Sequence, residues 1–217
     1  MSILISPSIL SADFAKLESE IRDVERCGAD WLHLDVMDGV FVPNLTFGPV
    51  IVDAINRLSD LPLDVHLMIV DPARYVDRFV KAGADWITFH IEAEKDVEGT
   101  IELIRSHGAK AGISVSPPTP IELIEPYLTR IDLVLVMSVN PGFSGQKFMP
   151  EVLPKVRWLV EMREKTGARY LISIDGGIND RTAPMAVDAG VDVLVSASYI
   201  FGSADRCEAI RKLASLK

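Results

Sequence analysis

Eight short apolar runs alternate with eight amphipathic stretches along the whole of this 217-residue chain, and that alternation limits the fold more than any other feature. The runs lie near residues 3–9, 31–36, 63–68, 85–90, 110–115, 132–138, 170–175 and 192–196. The helical patterns lie near 13–27, 49–57, 72–82, 96–107, 120–127, 150–166, 180–189 and 203–215. Ile131-Asp-Leu-Val-Leu-Val-Met137 is nearly continuous in apolar residues, the pattern of a parallel strand covered by helices. Gly28, Gly83, Gly108, Gly167 and Gly190 each end a helical pattern just before a strand, where glycine adopts the left-handed conformation without a Cβ penalty. The similar triplets Gly28-Ala-Asp, Gly83-Ala-Asp and Gly190-Val-Asp mark a repeated αβ unit. Asp71-Pro72 and Thr119-Pro120 read as helix starts, a capping residue before a first-turn proline. Eight such units with short connections predict an α/β fold, a (β/α)8 TIM barrel occupying residues 1–217 as one domain. An open doubly wound sheet ordinarily carries a GxGxxG turn after its first strand, and here that strand ends in Ser6-Pro-Ser-Ile-Leu-Ser11.

Bulk properties narrow the function. Apolar residues make up 48% of the chain, enough for a sizeable core, and no window approaches the ~18 apolar residues of a membrane span. The first residues, Met1-Ser-Ile-Leu-Ile-Ser-Pro7, show neither a basic segment nor a cleavage signature, so a cytoplasmic protein is expected. Cys27 and Cys207 lack CxxC spacing and read as reduced thiols. A net charge of −9 argues against nucleic acid as a partner. An anionic small substrate would have to be held by backbone N–H groups and a metal rather than by a basic field.

The chemistry-bearing residues gather at the C-terminal ends of the expected strands, which in a barrel is the active-site face. His33 and Asp35, at i and i+2 of a strand, point the same way, while His66 and Asp175 end two further runs. One His or Asp at a strand end is ordinarily a hydrogen-bonded structural residue. Two imidazoles and two carboxylates together form an N/O set for a borderline divalent metal. The loop Asn140-Pro-Gly142-Phe143-Ser144-Gly145-Gln146, the turn Gly176-Gly177 and Ser196-Ala197-Ser198 follow strands six, seven and eight, where barrels often bind phosphate. Met37, Met68 and Met137 also fall at strand ends, placed to form a dry, polarisable cap. His90 stands as a residue behind the ligands, and His107 as a helix C-terminal residue facing the dipole.

In these segments the chain resembles the ribulose-phosphate 3-epimerase family over nearly its full length. The matching stretches are Ser6–Asp13, His33–Asn44, Asp64–Met68, Val139–Gln146 and Asp175–Gly177. The resemblance implies an isomerase of carbohydrate metabolism in the pentose phosphate pathway, interconverting D-ribulose 5-phosphate and D-xylulose 5-phosphate through an enediolate. It implies one divalent ion per chain on His33, Asp35, His66 and Asp175, zinc first, with iron, manganese or cobalt as substitutes. Asp35 and Asp175 would be the two acid/base residues, and Ser8 and His66 sugar contacts. Phosphate would meet Gly142, Phe143, Ser144, Gly145, Gly176, Gly177, Ala197 and Ser198. Ser144 and Ala197 depart from the glycines common there, and both keep the backbone N–H. Asp175-Gly-Gly fits the pentulose enzyme better than allulose 6-phosphate 3-epimerase. Related barrel lyases and decarboxylases use a lysine beside an aspartate on a strand, and no lysine falls at the relevant strand ends here. A non-catalytic metal-binding scaffold would have no need of two opposed carboxylates and a phosphate loop. The expected partner is a sugar phosphate, with no nucleic acid or membrane, and the chain is expected to be a homo-oligomer.

Overall fold

All eight expected strands form and run parallel in the computed structural model, which describes residues 2–216; Met1 and Lys217, the ends of the expected domain, lie outside it. They are β1 (Leu4–Pro7), β2 (Leu32–Met37), β3 (Leu63–Met68), β4 (Trp86–His90), β5 (Lys110–Val115), β6 (Leu133–Met137), β7 (Leu171–Asp175) and β8 (Val193–Ser196). The helices are α1 (Leu17–Arg26), α2 (Pro49–Asn56), α3 (Val76–Lys81), α4 (Val97–Ser106), α5 (Leu153–Thr166), α6 (Ala183–Ala189), α7 (Ser198–Phe201) and α8 (Arg206–Ala214). The sheet order β1-β8-β7-β6-β5-β4-β3-β2 makes a nearly closed barrel. At the remaining seam, β1 and β2 are joined by the bridge of Ser8 to His33 and by the N–H groups of Asp30 and Trp31, which both donate to the Ile5 carbonyl.

The sheet's outward side chains, among them Leu34, Val65, Ile87, Ile113, Val134 and Ile172, are wholly buried beneath the helices. Each such side chain contributes ~1.5–3 kcal/mol of burial free energy. The barrel interior is different. Its lower end is plugged by Trp31, Trp86, Leu133 and Val193, with the Lys110 ammonium 4.3 Å from the Trp86 ring centroid. Further up, Ser6, His33, Asp64, Thr88 and Ser173 are fully buried polar residues where barrels usually carry branched apolar ones.

The aspartates of the repeated triplets have a structural task. Asp30 accepts the N–H of Ile5, Asp85 that of Leu63 and Asp192 that of Ile172, at 2.8 Å in each case. Asp132 accepts the Ala111 N–H at 3.1 Å. Each carboxylate thus satisfies a donor on the neighbouring strand that would otherwise be left at the barrel's lower rim. The five helix-terminal glycines all have positive φ, as their positions predict.

Several helix starts differ from expectation. Asp71 makes no capping bond and stands at φ 49°, leading into a 3-10 turn at Pro72–Tyr75. The stretch after Thr119 is a 3-10 segment, Ile121–Tyr127, with Pro120 in the capping position. Pro126 lacks the N–H an α-helix would need there. The short helix α7 lies ahead of the last expected helix.

The two cysteines are not reduced thiols. Cys27, just past α1, and Cys207, in the first turn of α8, form a disulfide across 180 residues of sequence. Local spacing carries no sign of this pair, because only closure of the barrel brings the first and last helices together. The bond removes the cysteine-based argument for a reducing compartment. Disulfides typically add ~2–4 kcal/mol, chiefly by restricting the unfolded chain. Cys27→Ser/Cys207→Ser is therefore expected to unfold in urea with a free energy lower by ~2–4 kcal/mol. The unreduced native protein should show no iodoacetamide-reactive thiol by mass spectrometry; rapid alkylation of both cysteines would overturn the assignment.

Candidate metal centre and active site

Register between β2 and β3 builds the centre. Asp35 pairs with His66 and His33 with Asp64, so these four side chains enter the barrel side by side. Asp175 arrives from β7, opposite Met137 in register. His33, Asp35, His66 and Asp175 each offer a donor atom, and all four atoms lie within 4.8 Å of one another. Among the described residues, this is the cluster of at least three such side chains that could hold a metal ion.

The distances fit an ion. Asp35 Oδ1 lies 3.3 Å from His33 Nε2 and 3.1 Å from His66 Nδ1. The two ring nitrogens are 3.4 Å apart. Donors at 2.0–2.1 Å from a tetrahedral ion stand ~3.3 Å from one another. Tautomers supply a second test. His33 Nδ1 is 2.7 Å from Asp64 Oδ2, and a carboxylate only accepts, so the proton sits on Nδ1 and a neutral ring leaves Nε2 bare. Thr88 Oγ1 approaches the other Asp64 oxygen at 3.5 Å. A bare nitrogen beside an ionised carboxylate in a dry interior calls for a cation.

The protonation pattern without an ion agrees. Burial works to lower the pKa of His33, but the charges of Asp35 and Asp64 overcome it and hold the imidazole well above its ordinary value. Burial would raise Asp35, yet the neighbouring imidazoles, His33 foremost, hold it below the usual carboxylate range. His66 is pushed down to about 4, mainly by burial. Asp175 is pushed up to about 7 by burial and by the negative charge of Asp35. A proton thus takes the place of the missing positive charge.

Above the cluster is a cavity of about 330 Å³. Asp35 and Asp175 line it, as does Ser8, whose hydroxyl donates to Asp35 Oδ2 at 2.6 Å. Met37, Met68 and Met137 form apolar wall, as their strand-end positions predict. The expected phosphate residues all reach the cavity: Gly142 to Gly145 from one loop, Gly176 and Gly177 from the next, and Ala197 and Ser198 from the third. No Lys or Arg is among the lining residues. His33 and His66 lie outside the wall, both fully buried, with His66 Nδ1 3.1 Å from the lining residue Asp35. His90 touches His66, and His107 caps its helix, with Nδ1 2.9 Å from the Leu103 carbonyl.

Glycine is required in the β7 turn. Gly177 has φ +64°, and a Cβ there would stand 2.6 Å from the backbone nitrogen of Phe148. Three supports had no visible signal in the sequence. Ser138 donates to the carbonyls of Asp175 and Gly176, fixing that turn. Asn44 donates to the Gly142 carbonyl at 2.8 Å and ties the β2 loop to the loop after β6. Asp64 orients His33.

Metal binding should release protons. At pH 6.5 the raised His33 and Asp175 hold protons that ligation must displace, whereas His66 is already neutral. Both raised groups also bind more protons folded than unfolded from pH 6.5 upward. Their stabilisation of the metal-free protein is therefore present at lower pH and lost as pH rises through their folded values. Titration calorimetry with Zn²⁺ in buffers of different ionisation enthalpy is expected to show proton release that shrinks from pH 6.5 to 8 as affinity rises. No proton release at pH 6.5 would contradict this.

Among the described residues no helix is long and apolar enough to cross a membrane. The fold is shared widely. The 3-hexulose-6-phosphate synthase from Salmonella typhimurium superposes with a TM-score of 0.72 at 17% identity, covering 99% of this chain and 97% of that one. Sequence comparison goes further. Ribulose-phosphate 3-epimerase of Bacillus subtilis (strain 168) is 51% identical over 216 residues, 99% of this chain and 100% of its own. Its counterpart in Treponema pallidum (strain Nichols) is 52% identical over 200 residues, 92% of each chain. A model of the Ribulose-phosphate 3 epimerase family matches residues 4–201, and with relatives this similar over nearly their whole length, the chain belongs to that family of isomerases.

Proposed function

We propose that the chain interconverts D-ribulose 5-phosphate and D-xylulose 5-phosphate by inverting C3, with Asp35 and Asp175 as the two proton-transfer groups. The observation that carries this reading is a pair of carboxyls, from β2 and β7, facing one cavity with their pKa values driven apart. Such divergence is how one site keeps a base and an acid at the same pH. A divalent ion held by His33, Asp35, His66 and Asp175, zinc being the first choice for two imidazoles and two carboxylates, would supply Lewis acidity to offset developing negative charge.

The residues divide the remaining work. One aspartate takes the C3 proton and leaves a planar enediolate; the other returns a proton to the opposite face. Ser8 holds Asp35 in place through its hydroxyl. Met37, Met68 and Met137 keep water from the reacting carbons, limiting stray protonation. Backbone N–H groups of the three small-residue loops hold the phosphate, since no cationic side chain lines the cavity. The same lack of a lysine counts against a lyase or decarboxylase reading of the shared fold.

Asp35→Asn and Asp175→Asn should each lower kcat by at least ~100-fold, the usual scale for a positioned acid or base. Metal content is measured in both, since each is also a proposed ligand, and exchange of the C3 proton with deuterated solvent is followed from each substrate. Full metal occupancy with near-normal epimerisation in either variant would defeat the two-aspartate mechanism. Ser198→Asp places a carboxylate in the phosphate loop region and should raise KM about tenfold, or ~1.4 kcal/mol, without changing metal content. An unaltered KM would remove that loop from the phosphate site.

A further inference from the structure

We propose that His90 and Glu92 are positioning residues that set the tautomer of His66, placing its proton on Nε2 and turning the bare Nδ1 toward the metal position. The inference rests on the metal reading above. His66 Nε2 lies 2.9 Å from His90 Nε2, and His90 Nδ1 lies 3.1 Å from Glu92 Oε2. The ring centroids of the two histidines are 5.0 Å apart and their planes inclined by 26°, close to the in-plane geometry of an N–H to N bond. Both rings are fully buried.

Direction enters the chain at Glu92. Burial would raise the pKa of this carboxyl, but hydrogen bonding led by His90 overcomes it and brings the value to about 2. An ionised carboxylate only accepts, so His90 carries a proton on Nδ1. In a neutral ring His90 Nε2 is then an acceptor, and the proton between the two Nε2 atoms belongs to His66. That leaves His66 Nδ1 bare, facing Asp35 Oδ1 at 3.1 Å and His33 Nε2 at 3.4 Å. With the opposite tautomer, Nδ1 would donate to Asp35 and close the position to a cation.

Glu92 is itself held. Its other oxygen accepts the Ser116 N–H at 2.8 Å. The Lys155 ammonium donates to the carbonyls of Ser116, Pro117 and Thr119 at 2.9, 2.8 and 2.7 Å, pinning the loop after β5. His33 is oriented directly by a carboxylate, and His66 by a carboxylate acting through a second imidazole. The two ligands consequently present opposite ring nitrogens, Nε2 and Nδ1.

The test reads tautomers in metal-free protein and Zn²⁺ affinity separately. Two-bond 1H–15N spectra of histidine-labelled protein should show the proton of His66 on Nε2 and that of His90 on Nδ1. Glu92→Leu should mix the His66 tautomers and weaken Zn²⁺, measured by chelator competition, by ~10–100-fold, the usual cost of losing an outer partner. His90→Gln, which keeps an acceptor for His66, should retain most of the affinity that His90→Leu loses. A wild-type His66 protonated on Nδ1 overturns the proposal. So does Glu92→Leu with an unchanged His66 tautomer, whether affinity holds or falls together with thermal stability. Wild-type protein showing the expected tautomers but binding no Zn²⁺ would support the tautomer assignment and overturn the metal reading instead.

Discussion

Three electron-pair donors converge in a water-free interior: His33 Nε2, Asp35 Oδ1 and His66 Nδ1. Such a cluster is costly unless a positive charge sits among them. Much of the surrounding structure follows from this need. Asp64 commits His33 to one tautomer, Ser8 occupies the second oxygen of Asp35, and Asp175 waits nearby with a carboxyl that ionises near neutrality. In the metal-free site a proton on His33 balances the charge; a divalent ion would do so more completely and would bring Lewis acidity with it.

The barrel can accommodate this polarity because it divides its labour. Apolar burial between sheet and helices supplies stability, with Leu34, Val65, Ile113 and Ile172 all sealed from water. The inner surface, relieved of that duty, carries Ser6, His33, Asp64, Thr88 and Ser173. The lower end is plugged with indole rings and aliphatic side chains, and Leu135 and Val195 belong to a second buried apolar cluster on the inner surface. Even the seam between β1 and β2 is shared with the site, since the bridge from Ser8 to His33 and the bond from Ser8 to Asp35 cross it together. Closing the barrel and shaping the centre are one event at this edge.

How much could be read in advance varies with the range of the interaction. The strand period of two places His33 and Asp35 on one face, so their partnership was legible from five residues. The (β/α)8 architecture was legible from repetition, and the three loops that meet at the cavity from small residues after strands six to eight. That Asp35 faces His66 depends on inter-strand register, for which local composition carries only indirect signs. His90 was legible as a residue behind His66 from its strand-end position, but Asp64 and Glu92 look like ordinary polar residues until the fold sets them beside His33 and His90. The repeated aspartates were visible as a pattern but not as caps for neighbouring strands, because the N–H groups they satisfy lie about twenty residues or more away. The 3-10 segment at Ile121–Tyr127 was misread because apolar periodicity is blind to the missing donor of Pro126. Cys27 and Cys207 carry no local sign of their pairing, because 180 residues separate them.

That same pair changes what a break in the chain means. Every βα loop from the end of β2 to the end of β8, including the cavity-lining loop around Phe143, lies inside the covalent ring that Cys27 and Cys207 close. Phe143 is more than half exposed, on a surface loop of the kind proteases cut. A single cut there yields two pieces that remain bonded to each other, with β1 to β6 on one and β7 and β8 on the other. The halves cannot diffuse apart, and the barrel retains the means to reassemble around its centre for as long as the sulfur link endures.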